Sequence, residues 1–181
     1  LQLKDLETIE NQIKKVQKQA QTGGDKNAKA LYEILLRYKE VLEQGKSART
    51  VVLEKDEQSV VRDLFLLTNK PVLYVCNVDE KSVVDGNKYV EQVREAVKDE
   101  NADVLIISAK VESEIAELDS YEDRQMFLEE IGLTESGGAR LIRAAYNLLD
   151  LQTYFTTGAD ESRAWTFTRG SKAPQCAGII H

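Results

Sequence analysis

The chain has 181 residues, of which 42% are hydrophobic and 30% are charged, and its formal net charge is −7 at pH 7. Such a composition is typical of folded globular proteins and not of disordered chains. The acidic balance excludes a generally basic nucleic-acid-binding surface, although a local basic face stays open. No run of residues has the apolar length of a membrane span, and Cys76 and Cys176 form no zinc or disulfide pattern, so we expect a cytoplasmic protein with no membrane partner.

The start of the chain carries two stretches in which apolar side chains recur alternately three and four positions apart, the spacing of one stripe on a helix. The stripes are Ile9, Ile13, Val16 and Ala20, followed by Ala28, Leu31, Leu35, Tyr38 and Leu42. Thr22-Gly23-Gly24-Asp25 predicts a turn between them, and Gly45 predicts the end of the second helix. We predict an antiparallel helical hairpin that serves as a packing arm, and lysines near its tip leave open a docking arm for a large partner.

The middle of the chain alternates strand and helix patterns. The predicted elements are a helix at residues 56–67, a buried strand at 72–76, a helix at 87–100 and a second buried strand at 104–107. The second helix places Tyr89, Val93 and Val97 along one side. Strand, helix and strand together predict a βαβ unit with a parallel sheet, and so an α/β fold.

Three more helical patterns and a hairpin pattern follow. Helices are predicted at residues 115–118, 121–131 and 136–149, where they would cover one face of the sheet. Strands at 151–156 and 163–168 are separated by Thr157-Gly158-Ala159-Asp160, which has the chemistry of a hairpin turn. Since the few residues after Gly170 cannot cover a two-stranded ribbon, we expect this last unit to be cut short.

Polar residues of nucleotide-site type follow both apolar strands. The first strand runs into Asn77-Val78-Asp79-Glu80, and the second runs into Ser108-Ala109-Lys110. In open α/β sheets, ligands lie at the carboxyl ends of the strands, so these segments can converge on one planar ligand. An Asn at a strand end is, taken alone, more often a turn residue than a ligand. The two segments together favour a binding site.

These segments resemble the YchF / Obg-like ATPases, relatives of the translation-factor GTPases. Asn-x-x-Glu after a buried strand, followed by Ser-Ala-Lys, resembles the altered fourth and fifth guanine-nucleotide motifs of that family. The similar stretches are residues 70–77, 108–110 with 114–118, 132–133 with Gly138, 151–155, 163–166 and 173–175. The resemblance covers essentially the whole chain.

The resemblance implies a partial P-loop NTPase with three parts. Residues 1–50 match a coiled-coil insertion, residues 51–149 match the C-terminal half of the G domain, and residues 150–181 match the start of a TGS domain, a ubiquitin-like β-grasp module. It also implies ATP hydrolysis with Mg²⁺ in the full-length protein, association with the ribosome, and protein or RNA contacts at the arm and the TGS module. The implied nucleotide contacts are Asn77, Val78, Glu80, Ser108, Ala109 and Lys110.

The departure from the Asn-Lys-x-Asp motif of GTPases has a chemical interpretation. In that motif the Asp carboxylate accepts hydrogen bonds from guanine, whereas adenine presents a lone pair at the same edge, so an Asp held there rejects ATP. Glu80 is one methylene longer and can swing away, while the Asn77 amide suits the N7 and amino edge of adenine. Lys110 can pack over the ring, Ser108 can support the loop, and Val78 can add an apolar or backbone contact.

The phosphate-binding half of such a site is missing from the sequence. No G-x-x-x-x-G-K-[ST] run occurs, so the P-loop, the magnesium ligands and the residue that orients water would all precede Leu1. We therefore expect the 181-residue chain alone to be inactive and to hold no catalytic or metal-binding residue.

A function of another class stays open at this point. The helical arm and the β-grasp unit can form a non-catalytic module that binds protein or RNA, with the Asn77 loop merely structural. The acidic residues Glu112, Glu114, Glu117 and Asp119 are interpreted as a solvated helix edge rather than a metal site. Trp165 is interpreted as a core residue rather than a stacking platform for RNA.

Overall fold

The structure, a computed structural model, describes residues 1–21, 26–100 and 102–180. The chain divides into two compact units, Leu1–Pro71 with Val97–Asn101 and Val72–Ala96 with Ala102–His181, which we call the helical unit and the mixed unit. The predicted turn at Thr22-Gly23-Gly24-Asp25 lies outside the described residues. Within the described ranges, no helix combines the length and the apolar character that a membrane crossing requires.

The helical unit is built on α1 (Gln2–Gln21) and α2 (Lys26–Glu43), which pack against each other. Their contact buries most of the predicted stripes. The buried core residues are Ile9, Ile34, Leu35, Tyr38, Leu42, Ala48, Val61 and Leu66, with Ile13, Val16 and Leu31 partly buried beside them. The Glu10 carboxylate and the Lys39 ammonium, 3.1 Å apart, join the two helices at the surface. Removal of this apolar area from water is the main stabilising contribution, since helices of this length are marginal alone.

The end of α2 confirms the predicted role of Gly45. Gly45 has φ +74° and donates its N–H to the Leu42 carbonyl, while Lys46 donates to the Val41 carbonyl. This is the Schellman pattern, in which a residue with positive φ satisfies the last carbonyl groups of a helix. Glycine fits here because it adopts that conformation without a steric penalty.

The predicted helix at residues 56–67 is wrong in its second half. The helix α3 (Lys55–Val61) ends early and is followed by two 3₁₀ turns, Arg62–Leu64 and Leu67–Asn69. Phe65 stands between the turns at φ 48°, a left-handed conformation that an α-helix cannot contain. The apolar spacing of this segment reflects burial of Val61 and Leu66 in the core rather than continuous helical structure.

A buried carboxylate binds the second of these turns, Leu67–Asn69. Asp5 of α1 is only 2% exposed, and its two oxygens accept hydrogen bonds from the Leu67 N–H (2.8 Å), the Thr68 N–H (2.7 Å) and the Thr68 hydroxyl (2.7 Å). The Thr68 hydroxyl in turn accepts the Ala48 N–H at 2.9 Å. The backbone groups that would continue the helix are therefore bound to a charged side chain, which makes hydrogen bonds of the stronger class.

The mixed unit contains a parallel strand pair, β1 (Leu73–Asn77) and β2 (Asp103–Ile107). The helix α4 (Lys88–Val97) connects them, and the Asn87 side chain accepts the N–H groups of Tyr89 and Val90 at its start. Helices together with a parallel strand pair confirm the predicted α/β class. Two details of the prediction are wrong. Tyr89 is 62% exposed, whereas Val90 (1% exposed) and the predicted Val97 (8% exposed) are the buried residues of α4, and Val75 of the predicted buried strand is 41% exposed.

Three helices follow β2: α5 (Ala109–Glu117), α6 (Tyr121–Glu130) and α7 (Gly137–Leu148). The predicted helix at residues 115–118 is too short, because α5 begins directly after Ser108 and includes the Ser-Ala-Lys segment in its first turn. The second core of the protein lies among these elements and consists of Val83, Val111, Ile115, Leu128 and Leu133. The third helix, α7, packs against both strands, as predicted for a helix that covers one face of the sheet.

The chain continues into the antiparallel hairpin β3 (Leu151–Thr157) and β4 (Ser162–Thr168), as predicted, and then into a helix, α8 (Ala173–Ile180), that was not predicted. The Tyr154 hydroxyl donates to the Cys176 carbonyl at 2.8 Å and so joins the hairpin to α8. Trp165 is partly buried. Its indole N–H donates to the Thr156 hydroxyl at 2.8 Å, and the Arg163 guanidinium lies 4.3 Å from its ring centroid.

Candidate functional site

The two polar segments predicted from the sequence lie side by side in the mixed unit. Asn77, the last residue of β1, is the register partner of Ile107, the last residue of β2. Immediately beyond, the Val78 N–H donates to the Ile107 carbonyl at 2.8 Å and continues the pairing by one residue. The parallel register therefore brings the loops after both strands to the same edge of the sheet, where α/β proteins bind their ligands.

Asn77 bridges the two loops. Its side-chain oxygen accepts the N–H of Ala109, the first residue of α5, at 2.9 Å. The turn interpretation of this residue assumed a bond to its own backbone, whereas the structure gives it a partner 32 residues away. The side chain remains exposed, and its amide nitrogen has no hydrogen-bond partner among the described residues. An amide fixed through its oxygen in this way has a preset orientation and free donors.

Ser108 occupies the N-terminal cap position of α5 but does not cap it with its side chain. The residue is 1% exposed, and its hydroxyl oxygen has no hydrogen-bond partner within the part of the chain that the structure describes. Its carbonyl accepts the Glu112 N–H at 3.0 Å and closes the first turn of the helix. Ser108 is thus a buried residue between β2 and α5, and its predicted support of a nucleotide-binding loop stays a prediction.

Glu80 and Lys110 form an ion pair across the two loops. The Lys110 ammonium lies 3.4 Å from the Glu80 carboxylate and 3.5 Å from the carboxylate of Glu114, one turn further along α5. The hydrogen bond that Lys110 donates to Glu80, and then the negative charge of Glu114, raise the pKa of the Lys110 ammonium above its ordinary value. Because the Lys110 side chain is 70% exposed, this pair contributes little to stability and is free to rearrange around a ligand.

Val78 makes one packing contact and one backbone contact within the protein. Its side chain is partly buried and packs against the core of α5 and α6, and its N–H is bonded to Ile107. Val78 also lines an open cleft beside Asn77, and its predicted contact with a nucleotide stays a prediction.

An open cleft of about 310 Å³ lies beside Asn77, between the end of β1 and α4. Its lining residues are Val75, Cys76, Asn77, Val78, Asn87, Tyr89, Val90 and Val93. A larger cleft of about 520 Å³ lies in the helical unit, lined by residues that include Leu53, Phe65 and Lys70, but it contains none of the six predicted site residues. We assign the candidate site to the smaller cleft and its rim, because the polar groups that can orient a planar ligand converge there.

Sequence reasoning missed one part of the site. Glu112 is not at a solvated helix edge: its carboxylate accepts the Gly137 N–H at 2.6 Å and the Gly138 N–H at 3.0 Å, at the start of α7. Arg140 in the same turn of α7 donates to the Ile106 carbonyl at 2.9 Å. The Gly-Gly pair after Ser136 was the available signal, since such a pair lets a side chain approach the backbone closely. The described residues contain no group of histidine, cysteine or acidic side chains that can hold a metal ion.

Comparison with known proteins shows close relatives. The chain is 52% identical over 181 residues to the ribosome-binding ATPase YchF of Bacillus subtilis (strain 168), and the matched region covers 99% of this chain and 49% of that protein. It is 40% identical over 186 residues to human Obg-like ATPase 1, and the matched region covers 100% of this chain and 46% of that protein. The chain belongs to the YchF / Obg-like ATPase family. It spans about half the length of the curated relatives that it matches.

Two further matches concern the fold and the last residues of this YchF / Obg-like chain. The structure of the Schizosaccharomyces pombe YchF GTPase superposes with a TM-score of 0.84 at 28% sequence identity, over 99% of this chain and 49% of that one. A family model for YchF-GTPase_C, described as a protein of unknown function (DUF933), matches residues 151–181. The β3–β4 hairpin and α8 lie within this matched range.

Proposed function

We propose that this chain forms the base-binding part of an ATPase that prefers ATP to GTP. The observation that carries the proposal is the convergence of the two loops, in which Asn77 is fixed to Ala109 and Glu80 is paired with Lys110. Family membership supports nucleotide binding in general, because relatives are named as ATPases.

The chemistry of the two side chains favours adenine. The Asn77 amide nitrogen can donate to N7, and its oxygen, which has a second lone pair, can accept from the exocyclic amine of adenine while it keeps the Ala109 contact. Guanine binding needs a carboxylate held where it accepts from the N1 and N2 groups, whereas Glu80 is one methylene longer than the Asp of guanine-specific sites and can turn towards the Lys110 ammonium, 3.4 Å away. A carboxylate withdrawn in this way also avoids the N1 lone pair of adenine.

The remaining parts of the proposal concern the whole protein. We propose that the phosphates are bound by a P-loop elsewhere in a longer protein, that ATP is hydrolysed there, and that nucleotide state regulates association with the ribosome in the cytoplasm. Residues 1–50 would then be the coiled-coil insertion, residues 51–149 the C-terminal half of the G domain, and residues 150–181 part of a TGS module. We propose that Mg²⁺ is held together with the phosphates in that longer protein, and we assign none of the described residues to it.

Isothermal titration of the full-length protein with ATP and with GTP tests the preference. We expect ATP to bind more tightly, and a GTP preference of about tenfold, equivalent to about 1.4 kcal/mol, would overturn the proposal. We expect Asn77→Ala to weaken ATP binding by about 1–3 kcal/mol, the scale for loss of a bidentate amide contact to a base. The matched control is Asn147→Ala, which removes an exposed amide from α7 and should leave binding unchanged.

A further inference from the structure

The carboxylate of Glu112 connects the first turns of two helices in the mixed unit. The backbone N–H of Glu112 donates to the Ser108 carbonyl and closes the first turn of α5. Its side chain reaches α7, where each carboxylate oxygen accepts one backbone N–H, from Gly137 at 2.6 Å and from Gly138 at 3.0 Å. A negative charge at the N-terminus of a helix is stabilised by the helix dipole and by the unpaired N–H groups there.

The two glycines make this approach possible to different degrees. A Cβ added at Gly137 would lie 2.8 Å from a Glu112 oxygen, closer than real Cβ contacts, and 3.0 Å from the Ile107 side chain, which is tight, so the Glu112 carboxylate would have to move away. A Cβ added at Gly138 would lie 3.4 Å from the other Glu112 oxygen, a distance that the side chain tolerates with little movement. Only at Gly137 is the absence of a side chain required for the contact.

The contact is continuous with the candidate site. Ala109, in the turn that Glu112 closes, donates its N–H to Asn77, so the position of that turn sets the position of the Asn77 amide. On the other side, Arg140 of α7 donates to the Ile106 carbonyl near the end of β2. The start of α7 is therefore bonded to Ile106, which precedes Ser108 in the chain, and to Glu112, which follows it.

We propose that Glu112 is a positioning residue for the base-binding loop, holding the Ser-Ala-Lys turn against α7 so that Ala109 keeps the Asn77 amide in place. The inference rests on the proposed nucleotide-binding function. A cap that served only the stability of α7 would not affect the contact between Ala109 and Asn77, whereas a positioning residue controls it.

The test uses Glu112→Gln in the full-length protein, because glutamine keeps the length of the side chain but replaces one acceptor oxygen with a donor that faces an N–H group. We expect ATP affinity by isothermal titration to fall about tenfold and KM for ATP to rise correspondingly, with kcat at saturation nearly unchanged. The control is Glu117→Gln, an exposed carboxylate on the same helix. Unchanged affinity in a folded Glu112→Gln variant would overturn the proposal, even if its melting temperature fell.

A second pair of variants approaches the same contact from α7. Gly137→Ala should weaken ATP binding in the same way as Glu112→Gln, and the double variant should be no weaker than either alone, since both changes break one contact. Gly138→Ala is the matched control, because it adds the same methyl group to the same helix without displacing Glu112. Equal effects of the two alanines on ATP affinity would contradict the proposal.

Hydrogen exchange at the Ala109 amide separates this inference from the proposed function. We expect Glu112→Gln to increase the exchange rate of that amide at least tenfold over the Glu117→Gln control, with or without nucleotide. If the wild-type protein failed to bind ATP, the proposed function would fail while the exchange measurement still decided whether Glu112 positions the loop. An Ala109 exchange rate that Glu112→Gln leaves unchanged would refute the inference alone.

Discussion

Charged side chains connect separate segments in both units, but under opposite conditions. Asp5 in the helical unit is 2% exposed and accepts three hydrogen bonds, whereas the Lys110 side chain in the mixed unit is 70% exposed and forms ion pairs longer than 3 Å. A buried carboxylate that satisfies buried donors fixes a fold, because loss of the acceptor leaves those donors without water or protein partners. An exposed ion pair is almost neutral in energy and can therefore yield to a ligand.

The largest expected effect comes from the buried carboxylate. Asp5→Ala leaves the N–H groups of Leu67 and Thr68 and the Thr68 hydroxyl without their acceptor, so we expect the free energy of unfolding to fall by about 3 kcal/mol or more. Urea denaturation followed by far-ultraviolet circular dichroism measures the change. The control is Glu7→Ala, which removes an exposed carboxylate from the same helix and should cost less than about 0.5 kcal/mol.

The same denaturation experiment tests whether the two units unfold separately. Trp165, the one tryptophan of the chain, lies in the mixed unit, so its fluorescence reports on that unit. If Asp5→Ala shifts the circular dichroism transition more than the fluorescence transition, the two units unfold separately. Equal shifts would mean that Asp5 stabilises both units as one cooperative structure.

Substitution of two glycines, one in each unit, should change the free energy of unfolding by an intermediate amount. Gly45 in the helical unit and Gly86 in the mixed unit both have positive φ, +74° and +83°. A Cβ at Gly45 has no neighbour within 4 Å, whereas a Cβ at Gly86 would lie 3.0 Å from the Ile106 side chain and 3.3 Å from that of Val90. We expect Gly45→Ala to cost about 1 kcal/mol from backbone strain and Gly86→Ala about 2 kcal/mol, measured by urea denaturation. A smaller cost at Gly86 would show that the packing around it yields easily.

The smallest effect is expected at the exposed ion pair. Lys110→Gln removes the ammonium from both Glu80 and Glu114, and we expect the free energy of unfolding to stay at the wild-type value. Thermal and urea denaturation both check this expectation. A loss as large as that of Asp5→Ala would place Lys110 in the same class as Asp5 and would contradict a loop that rearranges around a ligand.

The sequence predicted those parts of the fold that periodic burial controls. The stripes of α1 and α2, the parallel strands and the β3–β4 hairpin were all visible as spacing, because one face of each element packs against the protein. The end of α3 could not be predicted in this way. The turn Leu67–Asn69 that replaces the last part of the predicted helix is bonded to the Asp5 carboxylate, 62 positions before Leu67, and contacts between distant residues leave no local pattern.

The sequence predicted that the two polar segments lie close together, but not which of their residues touch. Strand ends followed by polar residues indicated that the segments containing Asn77 and Lys110 converge, and the register of the strands brings these segments together. That the segments bind a nucleotide stays a prediction. The bond from Ala109 to Asn77 and the reach of Glu112 to α7 could not be read from the sequence, since both involve backbone N–H groups that every residue carries. For the same reason α5 was predicted too short, because its first turn is closed by backbone groups.

The register of β1 and β2 limits how the length of this chain can vary. Asn77 and Ile107 are register partners at the ends of the two strands, so the candidate site depends on both strands ending at the same position in the register. Residues 78–100 run through turns and α4, and an insertion in a surface turn there can be absorbed without moving either strand end. One residue inserted within Asp103–Ile107 would instead turn the following side chains to the opposite face of the sheet and separate Ala109 from Asn77. Gaps that separate homologues of this chain should therefore collect before Asp103 and be absent from the five residues of β2.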